Sequence, residues 1–289
     1  MDDNGHQLGA FLRARRARVT PESVGIPGGG RRRVRGLRRE ELAQRAGISV
    51  DYYVRLEQGR STAPSADVLD ALARALELDA TEREHLRTLA VARPRRAAAR
   101  PARAGERGAP VQRVLDGMRG LPAIVTNHRL DIVAWNRLGS ELFGRVAQRD
   151  APWRNHARYT FLDPAARVVF PDWAERASET AAVLRHAMGR HPQDRRLAGL
   201  VAELGRVSDE FRLRWEAGDV LVCGGGTRRF HHPAVGGLTL DYQTLHVPAP
   251  DGGPAEQMYV YSAAEGSAAG AALRELAARA DGARVATGP

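Results

Sequence analysis

Apolar positions in the first ninety residues recur at helical spacing, with polar breaks between the runs. Over residues 6–19, Leu8, Phe11, Leu12 and the stem of Arg15 predict an inward face, and Arg13, Arg15, Arg16 and Arg18 predict a basic one. That basic face is either solvated or laid on phosphates, and the sequence favours neither. Leu42, Ala46, Ile48, Tyr53 and Leu56 form the next inward set, spread over two short helices within residues 37–60. Gly47 sits where the first of these must stop, and a glycine there accepts φ > 0 without a Cβ penalty. Ser49 follows as N-cap of the second helix, and small Ala43 lets the two cross closely. Val50, Asp51, Val54, Arg55 and Gln58 fall opposite Tyr53 and Leu56. This is the layout of a helix-turn-helix, whose second helix enters the DNA major groove.

Pro64 and Ser65 open a fourth helix over 66–77, carried by Val68, Leu69, Leu72, Ala75 and Leu76. Thr81 is expected to cap a fifth that ends near residue 93. Residues 93–110 contain no large apolar side chain and read as a basic, mobile linker. The pattern then changes. A short helix (111–118) precedes two strand-like runs around a turn at Asn127, His128 and Arg129. Helices follow over 137–143, 173–188, 195–207 and 211–216, and a terminal one over 269–280. Strands are expected at 220–223 running into 228–232, at 238–247 and at 258–262. The predicted fold is an all-α five-helix domain followed by an α+β domain with an antiparallel sheet. The boundaries drawn are 1–92, a linker 93–110, 111–265, and a helix and tail 266–289.

Charge sharpens this division. Residues 1–109 hold 22 arginines against 14 acids, and residues 110–289 hold 22 against 20. The front third therefore faces a polyanion. Six arginines, Arg31, Arg32, Arg33, Arg35, Arg38 and Arg39, lie within nine residues just before the helix-turn-helix, as an arm on phosphates would. Lysine is absent throughout, which with abundant Ala, Gly and Pro reads as GC-rich codon bias and excludes a P-loop or a lysine Schiff base. One cysteine, Cys223, excludes intrachain disulfides and cysteine-rich zinc sites. No apolar h-region follows Asp2 and Asp3 and no run approaches a membrane span, so a cytoplasmic protein is expected.

Catalytic and metal signals are weak. Adjacent His231 and His232 point to opposite faces of a strand, and no nucleophile elbow is present. Gly224, Gly225 and Gly226 lack a phosphate-loop context and read as a flexible turn. No enzyme, cofactor or metal is expected.

Residues 37–77 resemble the Cro- and phage-repressor-like helix-turn-helix, through EELAQRAGIS, YYVRLEQGR and PSADVLDALARAL. The whole chain resembles the MmyB-like regulators of actinobacteria, through IVAWN, RYTFLDPAAR, the DWAE helix, GRHPQD, RFHHPAVGGLTLDYQTL and YVYSA. It departs from the wider motif at Arg38, where a capping Thr or Ser is common. The resemblance implies a PAS-like ligand-binding domain taking fatty-acid-like molecules, a double-stranded DNA operator and a homodimer. By matching position it implies base reading by Ser49, Val50, Asp51, Tyr52, Val54 and Arg55, and phosphate contact by Arg39 and Arg60. Among large apolar residues, Trp135, Phe143, Tyr159, Phe161, Phe170 and Trp173 are candidates to line a ligand pocket or simply to pack. Arg158 with Asn155, His231, His232 and Tyr242 are candidate donors to a ligand carboxylate. The alternative is a ligand-free dimerisation or protein-interaction module behind the same DNA-binding domain.

Overall fold

A computed structural model describes residues 3–26, 34–60, 64–90, 109–147, 149–150, 153–248 and 254–286. The expected arm residues Arg31, Arg32 and Arg33 and most of the expected linker lie outside the described residues. In chain order the helices are α1 (Asp3–Arg18), α2 (Arg39–Ala46), α3 (Val50–Glu57), α4 (Ala66–Ala75), α5 (Ala80–Ala90) and α6 (Ala109–Gly117). Strands β1 (Ala123–Thr126) and β2 (Ile132–Trp135) lead into α7 (Arg137–Leu142), α8 (Gly144–Ala147), α9 (His156–Leu162) and α10 (Ala165–Val169). Then come α11 (Trp173–Arg190), α12 (Arg195–Val207), α13 (Asp209–Glu216), β3 (Gly225–His232), β4 (Gly236–Val247), β5 (Glu256–Ser262) and α14 (Ala268–Ala286).

Two compact units result, one of residues 1–96 with 181–222, the other of residues 97–180 with 223–289. The first is helical. Leu8, Phe11 and Leu12 of α1 join Leu42 and Ala43 of α2, Tyr53 and Leu56 of α3, Leu72 of α4 and Leu86 and Leu89 of α5 in one buried core. Gly47 takes φ 66°, its N–H closing α2, and Ser49 accepts a bond from the Tyr52 N–H at 3.2 Å. Arg38 occupies the N-cap of α2, and its N–H donates to Glu41 at 2.7 Å, which supplies the reciprocal half of a capping box. The cap of α5 is Asp79 rather than Thr81. Asp79 Oδ1 accepts from the Glu82 N–H at 2.8 Å, and the Glu82 carboxylate accepts from the Asp79 N–H at 3.1 Å.

Residues 181–222 belong to this helical unit through polar as well as apolar contacts. Arg15, 4% exposed, reaches Glu82 at 2.7 Å and the Gly218 carbonyl at 2.7 Å. His85 stands edge-on to Phe11 at 5.1 Å, and a Cβ on Gly189 would come within 2.6 Å of it. Residues 220–223 are not the strand expected. Val220 packs into the helical core, and the Leu221 N–H bonds the Ala182 carbonyl instead of a strand partner.

The second unit is α+β, with an antiparallel sheet of order β2-β1-β5-β4-β3. On one sheet face Leu115 of α6 packs with Ala123, Val125 and Met258. On the other lie Ile124, Phe230, Tyr259 and Tyr261, met by Phe143 after α7 and Phe170 after α10. Both faces of β1 are therefore buried, so it reads as a continuous apolar run. Gly225 and Gly226 form no flexible turn. They open β3, paired with Gln243 and Tyr242, because β4 is long enough to hold them in the ladder.

Helices α1 and α3 touch backbone to backbone at Gly9, where a Cβ would lie 2.3 Å from the Glu57 carbonyl oxygen. Gly9→Val is expected to lower stability by about 2 kcal/mol through overpacking, measured by urea unfolding.

Candidate nucleic-acid interface and ligand-binding unit

The helix-turn-helix is positioned from inside. Tyr53 and Leu56 anchor α3 in the core, which leaves Val50, Asp51 and Arg55 exposed and Tyr52 and Val54 half-buried. Of the six expected base-reading residues, only Ser49 has its side chain engaged in the backbone, as the helix cap. No Asp51–Arg55 ion pair forms among the described residues; the Arg55 guanidinium instead stands 5.9 Å from the Tyr52 ring centre. Arg60 is exposed just past the helix, where its N–H closes on the Arg55 carbonyl at 2.9 Å. Arg35 and Arg38 are also exposed.

Glu57 was not singled out from sequence, yet its carboxylate holds this arrangement. Its side chain is fully buried and receives Arg16 at 2.9 Å, Arg39 at 3.1 Å and Arg13 at 3.2 Å. Arg16 also donates to the Leu37 carbonyl at 2.7 Å, tying down the approach to α2. Burial pushes the Glu57 carboxyl up, but the hydrogen bonds from Arg39 and Arg16 outweigh it, so it is held below its ordinary value. Arg39, expected on phosphate, is thus a structural residue whose side chain remains 45% exposed. The partners lie 18 to 44 residues from Glu57 in sequence, so no local pattern announced them.

In the sheet unit, several of the expected pocket residues form a ring-to-ring cluster. Phe143 meets Phe230 edge-on at 5.6 Å, Phe170 lies 5.7 Å from Phe230, and Tyr159 meets Phe170 edge-on at 6.0 Å. Phe161 and Trp173 pair with each other at 6.5 Å, and Trp173 Nε1 donates to the Thr160 carbonyl at 2.9 Å. Trp135 is half-buried under the Arg154 guanidinium at 4.8 Å. Asn155 is fully buried and its amide is committed. It caps α9 through the Arg158 N–H and donates to the Arg129 carbonyl and to Asp131, each at 2.8 Å.

The expected donors are dispersed. Arg158 lies 5.9 Å from the Trp153 ring, and the His232 ring nitrogen is 3.1 Å from the Glu141 carbonyl oxygen. His231 is exposed, out of phase with buried Phe230. Tyr242 lies under the guanidinium of Arg228 at 4.1 Å. Arg228 was missed; the available signal was its two-residue phase with Phe230 on a strand.

No group of three or more metal-ligating side chains forms among the described residues, and among them no helix is long and apolar enough to cross a membrane.

A helix-turn-helix with an exposed second helix, in a chain that also carries an α+β unit, defines a protein of the helix-turn-helix DNA-binding class. Residues 7–86 match the family model described as a helix-turn-helix domain. The chain belongs to the MmyB-like transcription regulators, since residues 108–276 match the model of the MmyB-like transcription regulator ligand binding domain. Comparison with curated proteins found no match. The matched ligand-binding segment includes residues 181–222, which by contacts group with the N-terminal helices.

Glu57→Gln removes the anion from among three guanidiniums and is expected to cost about 3 kcal/mol at neutral pH. Because the folded carboxyl titrates below its ordinary 4.5, this contribution is complete above that pH and disappears as pH falls beneath it. Urea unfolding of wild type and variant should therefore converge in acid.

Proposed function

We propose that the chain is a homodimeric, sequence-specific regulator, working in the cytoplasm at the nucleoid, that responds to a small hydrophobic, fatty-acid-like ligand. The observation that carries the DNA half is the exposed face of α3, where Arg55 has no acidic partner among the described residues. In this reading Arg55 bonds guanine O6 and N7, Asp51 accepts from cytosine N4 and Val50 meets a thymine methyl. Ser49, Tyr52 and Val54 complete the reading set. Arg31, Arg32, Arg33, Arg35, Arg38, Arg39 and Arg60 follow the phosphates. A dimer fits the two-fold half-sites that helix-turn-helix proteins read.

For the ligand half, support comes from the family match and from the concentration of aromatic residues on one sheet face. In this reading Trp135, Phe143, Tyr159, Phe161, Phe170 and Trp173 surround an apolar body, with Asn155, Arg158 and Tyr242 near its polar end, while exposed His231, on the other strand face, stays outside. A second reading, a ligand-free dimerisation module, is favoured by the direct packing of Phe143, Phe170, Phe230 and Tyr261 on one another.

Two experiments test these readings. Binding across an operator mutant set should show Arg55→Ala relaxing specificity at one position, with roughly 1–3 kcal/mol of discrimination lost. Arg39→Ala should weaken all sequences alike and also lower the melting temperature, since Arg39 holds Glu57. Equal losses from both on every sequence would sink the base-reading role. Native mass spectrometry of the purified chain is expected to show a dimer carrying a hydrophobic acid; a dimer that neither carries nor takes up such an acid supports the second reading.

A further inference from the structure

In the sheet unit two buried arginines share one carboxylate. Arg176 on α11 and Arg228 on β3 are each 8% exposed, and both turn to one carboxylate, Glu179. Arg176 touches it directly, and Arg228 Nη2 lies 3.5 Å from it. One half-buried carboxylate between two buried guanidiniums, with only the exposed Glu175 as a further acid beside it, leaves their charge incompletely compensated, and an uncompensated buried charge is costly. Burial, and then the charge of Glu175, pushes the Glu179 carboxyl up to about 7, so its compensation of the arginines weakens near neutrality.

Unmet hydrogen bonds gather on the same side of the sheet. Arg228 Nε, Thr244 Oγ1 and His156 Nδ1 are all buried with no hydrogen-bond partner among the described residues. The strand register puts Arg228 beside Leu240, Tyr242 beside Tyr261 and Thr244 beside Tyr259, so these side chains share one face. His156 comes from α9. Burial, and then the charge of Arg228, pushes it down to about 4, so at neutral pH its ring is uncharged and offers one donor and one acceptor. Phe230 and Tyr261, 5.7 Å apart, continue this face as apolar surface. Buried polar atoms are rarely left unpaired in native proteins; here one belongs to Arg228 itself and another to His156, which feels the charge of Arg228.

We propose that Arg228 is the seat of a ligand carboxylate: a small hydrophobic acid sets its anionic end on Arg228 in place of Glu179 and its apolar body against the neighbouring rings. This deepens the ligand-sensing reading above and rests on it. The freed Glu179 keeps Arg176 as its partner, so the exchange strands no charge. Selectivity then lies in the anion, since an equally long neutral molecule leaves Arg228 as it was.

The test is calorimetric titration of the full chain with decanoate and with decan-1-ol, which share an apolar tail. Wild type is expected to bind decanoate at least tenfold more tightly. Arg228→Met, which keeps the volume and removes the charge, should reduce that preference to less than twofold and leave the alcohol unchanged. Glu179→Gln, which removes the competing anion, should tighten decanoate at least threefold and leave the alcohol unchanged; it decides the matter if Arg228→Met does not fold by circular dichroism. Equal binding of acid and alcohol to wild type, a preference that survives in folded Arg228→Met, or unchanged decanoate binding in Glu179→Gln overturns the proposal while the ligand reading stands. Failure of both probes to bind wild type overturns the two together.

Discussion

A single buried carboxylate fixes the helix-turn-helix. Glu57 closes α3, at the helix end where the backbone dipole already disfavours an anion, and its side chain is withdrawn from water. Both circumstances oppose its charge, so it persists only because Arg13 and Arg16 from α1 and Arg39 from α2 surround it. Those guanidiniums come from two other helices, and meeting them sets how α3 lies against both. The exposed residues of α3 inherit that orientation. Gly9 belongs to the same arrangement, since only a residue without a side chain lets the α1 backbone approach the Glu57 carbonyl.

The same cluster changes the meaning of the basic charge. By count the first 109 residues carry 22 arginines against 14 acids. Yet Arg13, Arg16 and Arg39 are held on the one Glu57 carboxylate, and Arg15 is buried against Glu82. Arg15 and Arg16 are thus withdrawn as internal wiring, whereas Arg13 and Arg39 stay partly exposed and share the outward face with arginines such as Arg35, Arg38, Arg55 and Arg60. Arginine suits the inner role because its planar fork bonds several acceptors at once and remains charged when buried. Arg16, which holds both Glu57 and the Leu37 carbonyl, uses that capacity directly.

How legible each part was depended on the range of the interactions that define it. The turn of the helix-turn-helix was readable because Gly47 and Ser49 act on backbone groups within a few residues. The inward set Leu42, Ala46, Tyr53 and Leu56 was readable because burial follows the helical period. Residues 220–223 misled because four apolar-rich positions look alike whether they join a sheet or pack beneath helices, and Val220 does the latter. The candidate anchors His231 and Arg228 show the limit most plainly: each is a plausible donor, and only the phase of β3 decides that Arg228 is buried and His231 exposed.

Sequence alone therefore determined the kind of elements, the DNA-reading motif and the family resemblance, because these rest on spacing and residue type along a short stretch of chain. Tertiary structure alone decided which arginines are internal and which face outward, that residues 181–222 pack with the N-terminal helices, and that Arg176 and Arg228 share one acid. The physical reason is that a charge is defined by its partners. Glu57 finds three of them 18 to 44 positions away, a distance over which local periodicity carries no information.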